Sequence, residues 1–306
     1  MMFLKIIRAV LSEYKIIVKS KIFMIFVILT ALFILIDSFY LYAYVIPETI
    51  DNRIKLYSES LLSISDWVVI DKEFIMDLVR PIHPYTSFLN PIYMFSTISI
   101  VVFIIISSIL MGNEFKNKTI KVKMLNYSKL HIFLTKILTV VFIYISYIIY
   151  TIIINIVVSS VFWNKIKSEY SFFLNKFNLD FSFYLYEGIK DMFIFVIASS
   201  LIIMFYSVLS ICLVYWSSLT TFGIGVCVLP FIKFNSMFSK LIVMPMDIYY
   251  HVLRNNISIH KQGSYAIPEG NLLSSMTSLQ LLLACTILFL LEAILLLFAN
   301  SVKKHV

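Results

Sequence analysis

The sequence predicts an all-α polytopic membrane protein built as one transmembrane domain over residues 1–306, an amphipathic helix followed by six crossings. Three observations predict it. The chain is 60% hydrophobic and only 14% charged, and its mean hydropathy of +0.93 lies outside the range of water-soluble globular domains. Apolar runs recur that are long enough to cross about 30 Å of hydrocarbon, which takes roughly 20 helical residues. Lysine and arginine are denser in alternate connecting segments, the asymmetry that orients membrane proteins.

The elements follow in order. Within residues 1–21, Phe3, Ile6, Ile7, Val10, Leu11, Tyr14, Ile17 and Val18 recur on one helical face. Lys5, Arg8, Ser12, Lys15 and Lys19 recur on the other, with Glu13 among the charges. Such a helix rests in the membrane interface, lysines toward water and headgroups; packing on a cytosolic partner is the alternative. The chain then turns near Ser20 and Lys21 and crosses over residues 22–46. Further crossings are expected at 92–111, 137–162, 192–215 and 278–299. A short one at 219–234 carries Gly223, Gly225 and Pro230. It is retained because 192–234 is too long for one crossing and Trp216, Ser217 and Ser218 suit a tight turn.

Charge sets the orientation. Residues 1–21 hold five lysines and arginines, 112–136 hold six, and the tail 300–306 holds two. The opposite set, 47–91, 163–191 and 235–277, is more than twice as long yet holds 11, and 47–91 adds seven acids. Both termini and the loop 112–136 are therefore expected in the cytoplasm, with the other three segments outside. The outer segments carry Pro84, Pro91, Pro245 and Pro268, and pieces such as 237–246 are amphipathic. The net charge of +8 fits basic loops on an anionic leaflet and calls for no nucleic acid.

Two stretches carry a family resemblance. The first is SEYKIIVKSKIF, residues 12–23; the second is EFKNKTIKVKMLNYSKLHIFLTKIL, residues 114–138. Both resemble permeases of the ABC-2 family of ATP-binding-cassette exporters, where the second follows crossing two. Glu114, Phe115, Thr119, Ile120, Lys121, Leu125 and Lys136 fall on the family's pattern, and Lys118 stands where a glycine is usual. The resemblance implies a type V exporter-like arrangement, with a coupling helix in 112–136 docking on a separate cytosolic ATPase subunit. Glu114, Phe115, Lys116, Lys118, Thr119, Ile120, Lys121, Met124 and Leu125 would serve that coupling. The apolar Phe115, Ile120, Val122, Met124 and Leu125 would seat in the ATPase groove. Periodicity alone reads differently, since Ile120, Val122 and Met124 alternate with Lys121 and Lys123 as a strand would.

Other chemistries lack their residues. None of the six glycines is followed by lysine, so no P-loop is present, and ATP with Mg would bind the partner subunit. No cofactor is expected on this chain, and it is not expected to be an enzyme. Five histidines show no H-E-x-x-H spacing, no G-x-S-x-G occurs, and Cys212, Cys227 and Cys285 are dispersed in apolar runs, so no metal site is indicated. The first apolar run lacks an A-x-A-like exit and reads as a crossing. Asp37, Asn155 and Glu292 lie within expected crossings, where polar groups face a bundle interior, a translocation path or a dimer seam.

The expectation is thus the permease subunit of an ATP-driven exporter, paired with a second permease in a homodimer or heterodimer. Its cargo would be hydrophobic or amphipathic, with antimicrobial-peptide export or immunity as the first choice. The location would be a bacterial, Gram-positive cell membrane. The alternative is a non-transporting sensor or peptide-maturation helper with no ATPase partner.

Overall fold

The computed structural model describes residues 2–59, 78–79, 81–84, 86–87, 96–171, 182–228, 292–295, 297–298 and 301. Among them the chain is helical, with short turns and no strand. α1 spans Met2–Val18 and α2 spans Lys21–Tyr40. The turn between them falls where expected, and Ser20 Oγ caps α2 by accepting from the Phe23 amide at 3.3 Å. A π-helical turn, Leu41–Val45, joins α2 to α3, Ile46–Glu59. Then come α4 (Ser96–Lys116), α5 (Thr119–Asn126), α6 (Lys129–Glu169), α7 (Ser182–Ser217) and α8 (Thr220–Val228).

Four helical stretches are long and apolar enough to cross a membrane: Lys21–Asn52, Ile98–Lys116, Lys129–Glu169 and Val196–Ser217. They fit a transmembrane protein. The stripe Phe23, Phe26, Thr30, Ile34 and Ser38 of α2 is buried, while Ile25, Ile28, Leu29, Leu32, Leu35 and Ile36 are exposed. An apolar face that wide is far larger than a water-soluble monomer exposes. Lipid is the solvent it suits.

Several helices overrun their expected bounds. Residues 47–59 are helix, not loop, and α6 begins eight residues before 137 and ends seven after 162. At about 1.5 Å per residue, the 41 residues of α6 reach about 60 Å, twice the hydrocarbon thickness. Hydropathy marks only the stretch lipid would cover, whereas backbone hydrogen bonding carries the helix on into the polar zone. Helix α7 likewise begins at Ser182, ahead of 192. A turn is present but falls at Ser218 and Leu219, because Trp216 and Ser217 still belong to α7; Ser218 adopts φ 60. The rest of the short crossing beyond Val228, the segment 235–277, residues 278–291, Cys285 and the tail lysines lie outside the described residues.

Packing is closest where α4, α7 and α8 meet. A Cβ on Gly112 would lie 1.9 Å from Thr220 Oγ1, and one on Gly223 would lie 2.4 Å from Val214 Cγ2. Ser108 and Ser210 hydrogen-bond across α4 and α7. Small residues that let backbones approach, with hydroxyls bonding between helices, are the packing means available inside lipid. Helix α6 lies against α1, α2, α4 and α7. Phe26 stacks on Tyr147 at 4.7 Å, and Thr30 shares a 3.2 Å hydrogen bond with the same hydroxyl. At the far end of α6, Ile46, Ile50, Val79, Ile82 and Ile166 form a separate apolar cluster beside Trp163.

Candidate functional site

The α1 end of the bundle holds a buried cluster of four charges. Lys136, 1% exposed on α6, donates to Glu13 Oε1 of α1 at 2.7 Å and to Glu114 Oε1 of α4 at 2.6 Å. Lys123 of α5 donates to the same two oxygens, at 3.1 Å to Glu13. Thr119 Oγ1 donates to Glu114 Oε2 at 2.5 Å. Two carboxylates and two ammonium groups thus tie four helices together with no net charge.

Local sequence explains the placement. Helix α4 ends at Lys116, and Lys118 adopts φ 58, ψ 14, the left-handed conformation that reverses the chain into α5. A residue with a Cβ is strained there by about 1–2 kcal/mol. Glycine at this position would not be. Helix α5 then lays Ile120, 1% exposed, onto the apolar cluster of Met111, Phe133 and Tyr215, and the same face delivers Lys123 to the carboxylates. Ser128 Oγ caps α6 by accepting from the His131 amide at 3.3 Å, and two turns on stands Lys136.

Each contact is charge-assisted. At an effective dielectric near 20, a 2.7 Å pair is worth about 6 kcal/mol of gross attraction, and desolvation offsets most of it. What the cluster secures is orientation, because removing one member strands the others. Burial alone would lower the pKa of Lys123. The hydrogen bond to Glu114 and the charges of Glu13 and Glu114 outweigh that and hold it above the ordinary lysine value.

The expected coupling residues divide into two sets. Ile120 is buried, and Phe115 and Met124 pack against the cluster below it. Ile120 is therefore corrected from an outward knob to an inward anchor, while Phe115 and Met124 are half-buried. Val122 and Leu125 remain exposed, Leu125 at 86%, flanked by the exposed Lys116, Lys118 and Lys121. Glu114 is turned inward to the lysines. Residues 119–126 are helix; the strand-like alternation arises because the short helix buries little besides Ile120.

Arg8 and Lys15 on α1 and Lys19 just past its end are exposed as expected, and the Lys5 side chain lies outside the described residues. Glu13 is a correction, since it leaves the interfacial face and enters the cluster. The apolar face of α1 is only partly free: Ile17 is buried against the bundle, and Tyr14 meets Phe142 edge-on at 5.2 Å.

Asn155 is buried and donates to Ser87 Oγ at 3.1 Å, which accounts for it as packing. Asp37 is half-buried on α2 and Glu292 is buried; neither enters the four-charge cluster. Cys212 and Cys227 are buried thiols. No group of three or more metal-ligating side chains occurs among the described residues.

Sequence reasoning missed Lys123 and Lys136 as site residues. A signal was available: Glu13 and Glu114 are the lone acids in 1–21 and 112–136, amid 11 basic residues.

No family model, curated protein or solved structure matches the chain.

Proposed function

We propose that this chain is the permease subunit of an ATP-driven exporter of the ABC-2 type, with six crossings and both termini in the cytoplasm. In this reading α1 is the interfacial elbow and α5 the coupling helix. It works with a separate cytosolic ATPase and a second permease, homologous or identical, in a bacterial cell membrane. The observation that carries the reading is the mounting of α5. It is short, held by an ion cluster to α1, α4 and α6, and it presents Leu125, Val122 and Lys121 outward, with Lys116 and Lys118 exposed just before it.

An exposed leucine beside lysines is poorly placed in either water or lipid, and well placed in a groove with an acidic rim. A push on α5 would travel through Lys123 and Lys136 into the elbow and the base of α6, helices that continue into the membrane body. The cargo class favoured is a hydrophobic or amphipathic molecule, with an antimicrobial peptide first.

The test is co-purification with an ATP-binding-cassette ATPase of the host cell. Tagged wild type should retain it, and Leu125→Asp should lose it while its thermal midpoint in detergent stays unchanged. If wild type retains no ATPase, or if a cysteine placed at Asn126 is labelled from outside intact cells, the proposal fails. Stimulation of ATP hydrolysis by one candidate peptide would assign the cargo.

A further inference from the structure

A cavity of about 190 Å³ adjoins the charge cluster, lined by Ala9, Ser12 and Glu13 of α1, Lys123, and His131 and Thr135 of α6. At about 30 Å³ per water, that is room for about six. Two buried polar atoms of residues that line it, Glu13 Oε2 and His131 Nε2, have no hydrogen-bond partner among the described residues. The Glu13 side chain is only 9% exposed, and a buried carboxylate oxygen left unpaired is costly. Lys123 has three N–H groups and gives two contacts to the cluster, which leaves one for an acceptor. The wall therefore calls for a ligand that donates to Glu13 and accepts from Lys123 and His131: a small zwitterion with an ammonium and an adjacent anion.

Position narrows the source. The cavity lies at residues 131–135, just before the apolar run of α6 begins at 137, the depth at which headgroups sit. On the same face of α6, continuing the row 131 and 135 at spacings of three and four, Leu138 and Phe142 are exposed. Ile16, one turn past Glu13 on α1, is exposed too. An acyl chain would find apolar surface leading away from the cavity. A docking protein would not come this way, because Leu125 lies about 200° around α5 from Lys123.

We propose that this cavity is a headgroup site for an aminophospholipid of the phosphatidylethanolamine class. The ammonium donates to Glu13 Oε2, the phosphate accepts from Lys123 and from His131 Nε2–H, and the chains run over Leu138 and Phe142. Lipid occupancy is read on the chain alone, so it stands or falls separately from the transport proposal.

The test uses the purified chain in nanodiscs of equal parts phosphatidylethanolamine, phosphatidylcholine and phosphatidylglycerol, with retained lipid counted by native mass spectrometry. Phosphatidylethanolamine should be kept at least about tenfold over both others, since a trimethylammonium group has no N–H to donate and a glycerol headgroup has no cation. Ala9→Leu, which fills the cavity and keeps all four charges, and His131→Ala should each abolish the preference. Equal retention of the three lipids by wild type overturns the proposal without recourse to any variant. So does a preference that survives both substitutions. Free O-phosphoethanolamine that binds as tightly as the lipid would reassign the site to a soluble ligand and overturn its lipid identity.

Discussion

Replacing Lys136 with methionine tests the charge cluster most directly. Lys136 Nζ lies 2.7 Å from Glu13 Oε1 and 2.6 Å from Glu114 Oε1, so those oxygens are no further apart than the sum, 5.3 Å. With one ammonium gone, their mutual repulsion at that separation is about 3 kcal/mol at an effective dielectric near 20. Methionine has nearly the volume of the lysine stem, so the loss is electrostatic rather than a cavity effect. Lys136→Met should therefore cost about 3–5 kcal/mol, the range for breaking a buried ion pair. Adding Glu13→Gln removes the uncompensated charge, and the double variant should recover at least about 2 kcal/mol relative to the sum of the two single losses. Thermal unfolding in detergent, or titration with a denaturing detergent, reads all four corners of the cycle. A Lys136→Met protein within about 1 kcal/mol of wild type, or strictly additive variants, would refute the argument that these groups act as one buried unit.

Three further outcomes are expected. Lys118→Gly should raise stability by about 1 kcal/mol by relieving the left-handed backbone at φ 58, and Lys118→Val should lower it, both measured as shifts in thermal midpoint. Gly223→Ala should lose about 1–3 kcal/mol because its Cβ would meet Val214 at 2.4 Å. Gly225→Ala, with nothing within 4 Å, should be neutral or gain up to about 1 kcal/mol from helix propensity; the opposite signs separate packing from backbone effects. His83, buried edge-on against Trp163 at 4.7 Å, has its pKa lowered by burial from 6.5 to about 4. A group depressed in the folded state releases its proton there first, so stability should be fullest above pH 6.5 and fall as pH drops toward 4, a dependence that His83→Phe should flatten.

Much of the fold was legible in the sequence because lipid imposes a strong and simple requirement on composition. The helix of residues 2–18, the turn at Ser20 and Lys21, and the four long apolar helices all follow from runs and periodicity. Helix ends were less legible: in α6, residues 129–136 are polar enough to read as loop, yet Ser128 caps them into the same helix. In the candidate site, the sequence singled out residues 12–23 and 114–138, the stretches that hold all four charges of the cluster, but gave Ile120 the wrong face. Eight residues make barely two turns, too few for periodicity to tell Ile120, which is buried, from Leu125, which is not. Long-range partners were illegible for a different reason. Glu13 and Lys136 are 123 positions apart, and nothing local to either records the other.

The π-helical turn at Leu41–Val45 accommodates one residue more than an ordinary turn would. Beyond it, the inward-facing positions are Ile46 and Ile50, which sit against Val79, Ile82 and Ile166. Deleting a single codon there, Ala43 for instance, would close the wide turn to regular winding and leave everything after it facing nearly as before. Both isoleucines would keep their partners, whereas the same deletion in the regular winding of α2 would turn whatever follows by about 100°. The wide turn is thus a slack link, where a change of length need not become a change of direction.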